Sequence, residues 1–294
     1  MPIPSSIQSL LQQKLSERFP GSNKIQFSPV GGGCINETAR ISWPGKHVFC
    51  KLNSATEFPG LFETEKRGLE FIARQHVIRV PAVVDCFESN GKQVLLLEWI
   101  NEADRTEKFW KVFGEQLAAL HHISSEHFGF DGNNYMGSVP QSNRYWSEWD
   151  QFFVEERLEP LVRQCADKNL LLKKHVDQFH KLYLSIPSIF NTDQKPALIH
   201  GDLWSGNFMC DQQQQPVLID PAVYFGHPSV DLGMTTLFGG FGSGFYDAYN
   251  YHAPFPKNYI EQWKICNLYP LLIHLLLFGK TYLSQIDDTL FLFV

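Results

Sequence analysis

The sequence predicts an α+β protein of two lobes, and three observations carry that expectation. The first hundred residues hold five short strand-like runs, cut by turn chemistry, with two helical stretches among them. After Ile100 the apolar residues recur mostly at helical spacing, with a strand-like exception at Ala197–Asp220. The 294 residues are 44% hydrophobic and 19% charged, which is ordinary for a packed chain and excludes a disordered one. The expectation is a lobe over residues 1–100, a five-stranded antiparallel sheet plus helix. A mainly helical lobe over 101–294 would follow, carrying one hairpin.

Each element has its own signal. Ser5 opens a helix, with Gln8 as a capping-box partner and Ile7, Leu10, Leu11 and Leu15 on one face. Pro20-Gly21 ends it. Strands are expected over Lys24–Val30, Ile35–Trp43 and His47–Leu52, separated by Gly31-Gly32-Gly33 and Pro44-Gly45. A helix from about Leu61 to Gln75 would turn Leu69, Ile72 and Ala73 to the core. Two strands, Ala82–Glu88 and Gln93–Ile100, flank Asn90-Gly91, the strongest short hairpin signal.

In the second part, Phe109, Val112, Phe113, Gln116, Leu117 and Leu120 form a helical face. The aromatic-rich stretch Phe128–Trp149 is expected to close part of a substrate cleft. Helices follow near Gln151–Gln164 and Leu170–Ile186, and Gln212–Gln215 reads as a hairpin tip. Leu268–Phe278 is strongly apolar. It is too short to span a bilayer and contains Pro270 and His274, so it reads as a buried helix.

Charge narrows the function. The chain carries 25 basic and 31 acidic residues, a net charge of −6. That argues against nucleic acid as a partner, since phosphate neutralisation needs a basic face. The imbalance lies in residues 101–294, where it suits Mg²⁺ or a cationic ligand, although a solvated surface is its commoner meaning. The N-terminus shows no basic and apolar leader. Cys34, Cys50, Cys86, Cys165, Cys210 and Cys266 are scattered without a CxxC pair. A reduced, cytoplasmic, membrane-free protein is expected, without structural zinc.

The chemistry concentrates in His200-Gly-Asp202-Leu-Trp204-Ser-Gly-Asn207, followed by Val217-Leu-Ile-Asp220-Pro-Ala. An antiparallel hairpin would bring Asn207 and Asp220 to one end, beside the Asp202 loop. Such a group suits phosphoryl transfer, which needs a carboxylate at the acceptor hydroxyl and hard oxygen ligands for Mg²⁺. Asp202 would be the base, Asn207 and Asp220 the metal ligands, and His200 would fix the loop. Asp and Asn are also common in turns, so the compound spacing carries the argument. Lys51 lies on a strand ahead of a helix bearing Glu63 and Glu65. Glu65 shares the inward face of Leu69 and Ile72, so it is the better partner for a phosphate-binding lysine, the alternative being a surface pair. Gly31, Gly32, Gly33 and Cys34 would form a phosphate loop through backbone N–H groups.

On these residues the chain resembles the fructosamine kinase (ketosamine-3-kinase) family, within the aminoglycoside-phosphotransferase-like kinases. The matching segments are GGGCIN at Gly31–Asn36, Lys51, FETE at Phe62–Glu65, HGDLWSGN at His200–Asn207, DPA at Asp220–Ala222 and the stretch Tyr224–Phe241. HGD and the later Asn belong to the whole superfamily; the longer strings are more specific. The resemblance implies a bilobal protein-kinase-like fold acting as one unit: a nucleotide-binding N-lobe over 1–100 and a catalytic, substrate-binding C-lobe over 101–294. It implies use of ATP and Mg²⁺ to phosphorylate the C3 hydroxyl of ketosamines, free or protein-bound, with ribulosamine or erythrulosamine adducts favoured over fructosamines. The unstable 3-phosphate is then lost and the amine restored, which is deglycation.

By the same resemblance Lys51 and Glu65 form the N-lobe ion pair, and Asp231 braces the catalytic loop. Glu98, Trp99 and Ile100 hold the adenine at the hinge. Trp204 is a platform beside the sugar, or else packs under its loop. Pro221-Ala222 after Asp220, in place of Phe-Gly, argues against an activation switch there. Cys34 would be a redox-sensitive thiol able to link two chains, or else an inert small residue, so a monomer or a redox-linked homodimer is expected. Two other readings stay open. One is a kinase for another small molecule, such as an aminoglycoside, choline, homoserine or a sugar. The other is a silent pseudokinase, although Lys51, Asp202 and Asp220 are all present.

Overall fold

A computed structural model describes residues 3–19, 24–31, 36–190 and 193–294. Helix α1 (Ser5–Arg18) precedes strands β1 (Gln26–Pro29), β2 (Glu37–Trp43) and β3 (Lys46–Ser54). Helix α2 (Leu61–Ala73) follows, then strands β4 (Val83–Ser89) and β5 (Lys92–Glu98). The five strands form one antiparallel sheet in the order β1-β2-β3-β5-β4. Side-chain alternation divides that sheet between two cores. Val48, Cys50, Leu52, Val94 and Leu96 meet Ile7, Leu11 and Leu15 of α1. Leu95 and Leu97 face the other way and join Phe62, Leu69 and Ile72 of α2 in the larger core. Asn90 and Gly91 have φ of 52° and 71°, as a two-residue hairpin turn with matching twist demands.

Three local expectations fail for physical reasons. Pro4, not Ser5, is the N-cap of α1 and offers no side-chain acceptor, so no capping box forms. Gln8 instead donates its side-chain amide to the Ile3 carbonyl at 2.8 Å. Leu10 is only half-buried, and Ala73 ends α2 exposed to solvent. Gly32, Gly33 and Cys34 lie outside the described residues, whereas Gly31 follows β1 at the surface.

The second lobe begins with α3 (Glu107–His121), capped by the Thr106 hydroxyl, which accepts from the Phe109 N–H. Next come strands β6 (Asn134–Met136) and β7 (Val139–Gln141), then α4 (Trp149–Phe153), which runs through a π-helical turn at Val154–Leu158 into α5 (Glu159–Asp167). Helix α6 (Lys173–Ile189) leads to β8 (Ala197–Ile199), β9 (Phe208–Cys210), β10 (Pro216–Leu218) and β11 (Tyr224–Gly226). Helices α7 (Ser229–Leu237), α8 (Ser243–His252), α9 (Tyr259–Phe278) and α10 (Leu283–Phe293) complete the chain. Helix α9 buries Trp263, Ile265, Leu268, Leu271, Leu272 and Leu275, as its composition predicts. Among the described residues no helix is long and apolar enough to cross a membrane.

The stretch 128–149, expected to close part of a substrate cleft, makes contacts on the side of α2. Arg67 of α2 donates to the Asn133 carbonyl, Tyr135 to that of Pro59, and the Asn134 amide to that of Val223. It is a strut tying α2 to the chain just after Asp220.

Candidate active site

Two short antiparallel pairs set the site. Strand β8 pairs with β11, and β9 with β10 in a register that opposes Phe208 to Leu218. That register brings Asn207 and Asp220 to one end, and the Ile219 N–H donates to the Asn207 carbonyl at 3.0 Å. Both outer edges of the β9–β10 hairpin are also paired. Leu218 donates to the Arg79 carbonyl at 2.9 Å, and Ala103 to the Cys210 carbonyl at 2.8 Å. At the tip, Gln214 accepts from the Thr106 hydroxyl at 2.6 Å and donates to the Asp104 carbonyl at 2.9 Å.

The loop from His200 to Asn207 is held from below. Gly201 has φ +84°, and a Cβ there would lie 2.2 Å from the Ala222 carbonyl oxygen, so only glycine fits. Asp231, wholly buried in the first turn of α7, accepts from the N–H of His200 at 2.7 Å and of Gly201 at 2.8 Å. The Nε2 of His121 lies 3.1 Å from the same carboxylate, and its Nδ1 lies 2.7 Å from the Tyr249 hydroxyl. Burial would push Asp231 up, but the hydrogen bond and charge of His121, then His200, hold its carboxyl below the usual range. His200 Nε2 donates to the Ile219 carbonyl at 2.9 Å, while its Nδ1 accepts from the Asp202 N–H at 3.2 Å. Burial keeps this ring neutral.

Asp202 and Asp220 flank the resulting cleft. The Asn207 amide donates to both the Asp202 carbonyl, at 2.8 Å, and its Oδ2, at 3.0 Å. Burial first, then the neighbouring Asp220, push the Asp202 carboxyl well above the usual range. Lys51 Nζ contacts the Glu65 oxygens at 2.8 and 2.7 Å and Asp220 Oδ1 at 3.1 Å. Burial would lower the lysine, but Asp220 and Glu65 outweigh it and hold the ammonium above its ordinary range. Glu63 is exposed, as its place on α2 predicts.

The sequence thus anticipated a cluster the structure brings together: Lys51, Glu65, His200, Asp202, Asn207, Asp220 and Asp231. At the hinge, the Glu98 N–H donates to the Ala82 carbonyl, and the Glu98 carboxylate pairs with Arg79, which also binds Asp211. Trp99 packs 6.3 Å from Phe49, and Ile100 is buried. Trp204 is half-buried against Phe238. No motif marked His121 or Tyr249. Nor did the sequence flag Arg157, which is fully buried in the π-helical turn. Arg157 donates to the Ser142 carbonyl and to Asn143 Oδ1 at 2.6 Å, with its guanidinium carbon 4.1 Å from the Tyr224 ring centre.

Among the described residues no group of three or more His, Cys, Asp or Glu could hold a metal unaided. Asn207 and Asp220 offer two hard oxygens. That donor set fits a Mg²⁺ completed by phosphate and water, and the closeness of Asp202 and Asp220 favours a cation between them.

The fructosamine kinase family model matches residues 5–292. A probable ketoamine kinase of Synechocystis is 36% identical, over 99% of this chain and 98% of its own. The chloroplastic protein-ribulosamine 3-kinase of Arabidopsis thaliana is 35% identical, over 90% of this chain and 82% of its own. A crystal structure assigned to a fructosamine-3-kinase of Thermobifida fusca superposes with a TM-score of 0.85 at 31% identity, covering 95% and 96% of the two chains. The aminoglycoside phosphotransferase APH(4)-Ia shares the fold, with a TM-score of 0.64 at 15% identity over 97% and 98%. The match is full-length in sequence and in architecture, and the chain belongs to the fructosamine kinase family.

Proposed function

We propose that this chain is an ATP-dependent kinase that phosphorylates the C3 hydroxyl of ketosamines, with ribulosamine adducts as the first acceptors to test. One observation carries the reading: Asp202, Asn207, Asp220 and the Lys51–Glu65 pair converge on one cleft within a full-length family match. The name of the Arabidopsis relative supports ribulosamine as the acceptor.

Asp202 accepts the proton of the attacking hydroxyl. The Asn207 amide fixes the carboxylate's direction by binding Oδ2. Lys51, held by Glu65, places its ammonium on the nucleotide phosphates and leaves Asp220 to do so. Asn207, through its Oδ1, and Asp220 would hold Mg²⁺. That ion supplies neutralisation of the charge developing on the transferred phosphoryl group. The hinge at Glu98–Ile100 takes the adenine.

The test incubates the protein with Mg²⁺-ATP and, separately, ribulose-lysine, fructose-lysine and an aminoglycoside, following product by mass spectrometry. Phosphate on a ketosamine, absent with Asp202→Asn, is the expected result. Phosphate on the aminoglycoside alone would overturn the acceptor assignment.

A further inference from the structure

An aromatic row leads away from the catalytic loop, and part of it faces solvent. Trp204 meets Phe238 edge-on at 5.9 Å between ring centres, and Phe238 lies 5.1 Å from His274. His274 continues to Tyr282 at 4.9 Å and Phe278 at 5.5 Å. Phe238 is 39% exposed and Phe278 54%. His274 joins the two exposed rings into one row beside the catalytic loop, and a contiguous patch of this kind, unlike a single exposed ring, marks a binding surface.

The row is fixed to the reacting group. The Trp204 N–H donates to the Asp202 carbonyl at 3.2 Å. Helix α7 grips the catalytic loop through Asp231 at its start and delivers Phe238 immediately after its last residue. A Cβ on Gly240, whose φ is +91°, would lie 2.6 Å from Ser205 Cβ, so the loop after Phe238 is pressed onto the catalytic loop. Phe241 anchors that loop in the core, 4.9 Å from Phe208 and 5.0 Å from Phe245. The wall is therefore preorganised.

His274 adds a directional group. Its Nδ1 lies 2.7 Å from the Pro270 carbonyl, which can only accept, so Nδ1 carries the proton and Nε2 is an acceptor. Burial lowers the pKa of the ring from the ordinary histidine value, against the opposing hydrogen bond to Pro270.

Exposed aromatic faces and a neutral imidazole acceptor suit a cation that still carries N–H. We propose that Phe238 and His274 form the outer wall of the acceptor subsite and recognise the protonated amine arm of the ketosamine. This rests on the ketosamine kinase reading above. In that substrate three carbons, C1 to C3, separate the secondary ammonium from the accepting hydroxyl, and with that hydroxyl at Asp202 the amine arm runs along the Trp204 side.

The test compares ribulose-lysine with its N-acetylated, uncharged counterpart at the ketosamine nitrogen. KM and kcat are measured for both acceptors, together with KM for ATP. Wild type should prefer the charged acceptor. Phe238→Ala and Phe238→Leu should raise KM for the charged acceptor by about tenfold, in line with a desolvated cation–π contact, and leave KM for ATP and the neutral acceptor unchanged. Phe238→Tyr should retain the preference. His274→Phe, which keeps a ring and loses the acceptor nitrogen, should raise the same KM severalfold. Retained preference in Phe238→Leu, or equal losses on both acceptors, would overturn the proposal while leaving the kinase assignment intact. A wild-type protein inactive on every ketosamine would overturn the assignment itself.

Discussion

Asp202 and Asp231 both serve the same loop, yet only the removal of Asp231 should cost stability. The Asp231 carboxylate accepts two backbone N–H groups at 2.7 and 2.8 Å and faces His121 at 3.1 Å, with no exposure to solvent. In Asp231→Asn one oxygen becomes an NH₂, which must face a donor in either orientation. Hydrogen bonds to a buried charge contribute about 1.5–3 kcal/mol each, and an unsatisfied buried donor costs about 1–3 kcal/mol. The expected loss is about 3–5 kcal/mol. With urea m-values of about 3 kcal/mol/M for larger chains, the unfolding midpoint should fall by about 1 M or more. Asp202→Asn removes a carboxylate that burial and Asp220 disfavour, so it should leave the midpoint unchanged or raised while abolishing phosphoryl transfer. The pH dependence adds a check. The carboxyl of Asp231 is depressed by folding, so its contribution is present above the unfolded pKa of about 3.9 and lost as pH falls through the folded value. An Asp231→Asn midpoint within about 0.3 M of wild type, or an equal loss in Asp202→Asn, would refute this account of the loop.

Other consequences are equally direct. Gly201→Ala must clear the Ala222 carbonyl from a left-handed backbone, so kcat should drop about 100-fold or more even where the protein folds. In Gly114→Ala the new methyl would lie 2.2 Å from the Phe245 carbonyl between α3 and α8, and thermal unfolding should show a loss of about 1–3 kcal/mol. His227 is buried and accepts the Ser229 N–H on Nδ1 at 3.1 Å, and burial lowers its pKa to about 3. Below the unfolded value of about 6.5 the unfolded chain takes up the proton first, so each pH unit costs about 1.4 kcal/mol. His227→Asn should therefore flatten the stability profile between pH 7 and 5, by about 2 kcal/mol at pH 5; an unchanged slope would refute this.

Much of the site was legible because its parts are local in sequence. The spacing from His200 to Asn207 and on to Asp220 is that of a loop and one hairpin, and the face of Glu65 follows from helical geometry. The first lobe was legible for the same reason, since alternation and Asn90-Gly91 are short-range signals. What escaped depends on residues far apart in the chain. His121 and Tyr249 complete the bracket around Asp231 from two other helices. Arg157 answers acceptors and rings supplied by 142–143, Phe152 and Tyr224. One helix was expected near Gln151–Gln164 and a continuous helical stretch runs there, but the π-helical turn at Val154–Leu158 within it is not revealed by periodicity. The capping box failed because Pro4 took the cap position.

The paired outer edges of the β9–β10 hairpin bear on how the chain acquires its structure. One edge binds Arg79, which precedes the last two strands of the sheet, and the other binds Ala103, just beyond the hinge. The hairpin is thus the middle of a small ladder whose rungs come from both sides of the 100/101 boundary. A chain cut there would leave backbone donors and acceptors without partners on each fragment, next to the residues that matter most for chemistry. These bonds predict that the two lobes unfold as one cooperative unit. Unfolding followed by secondary structure and by tryptophan fluorescence should trace a single shared transition, and two separated transitions would refute this.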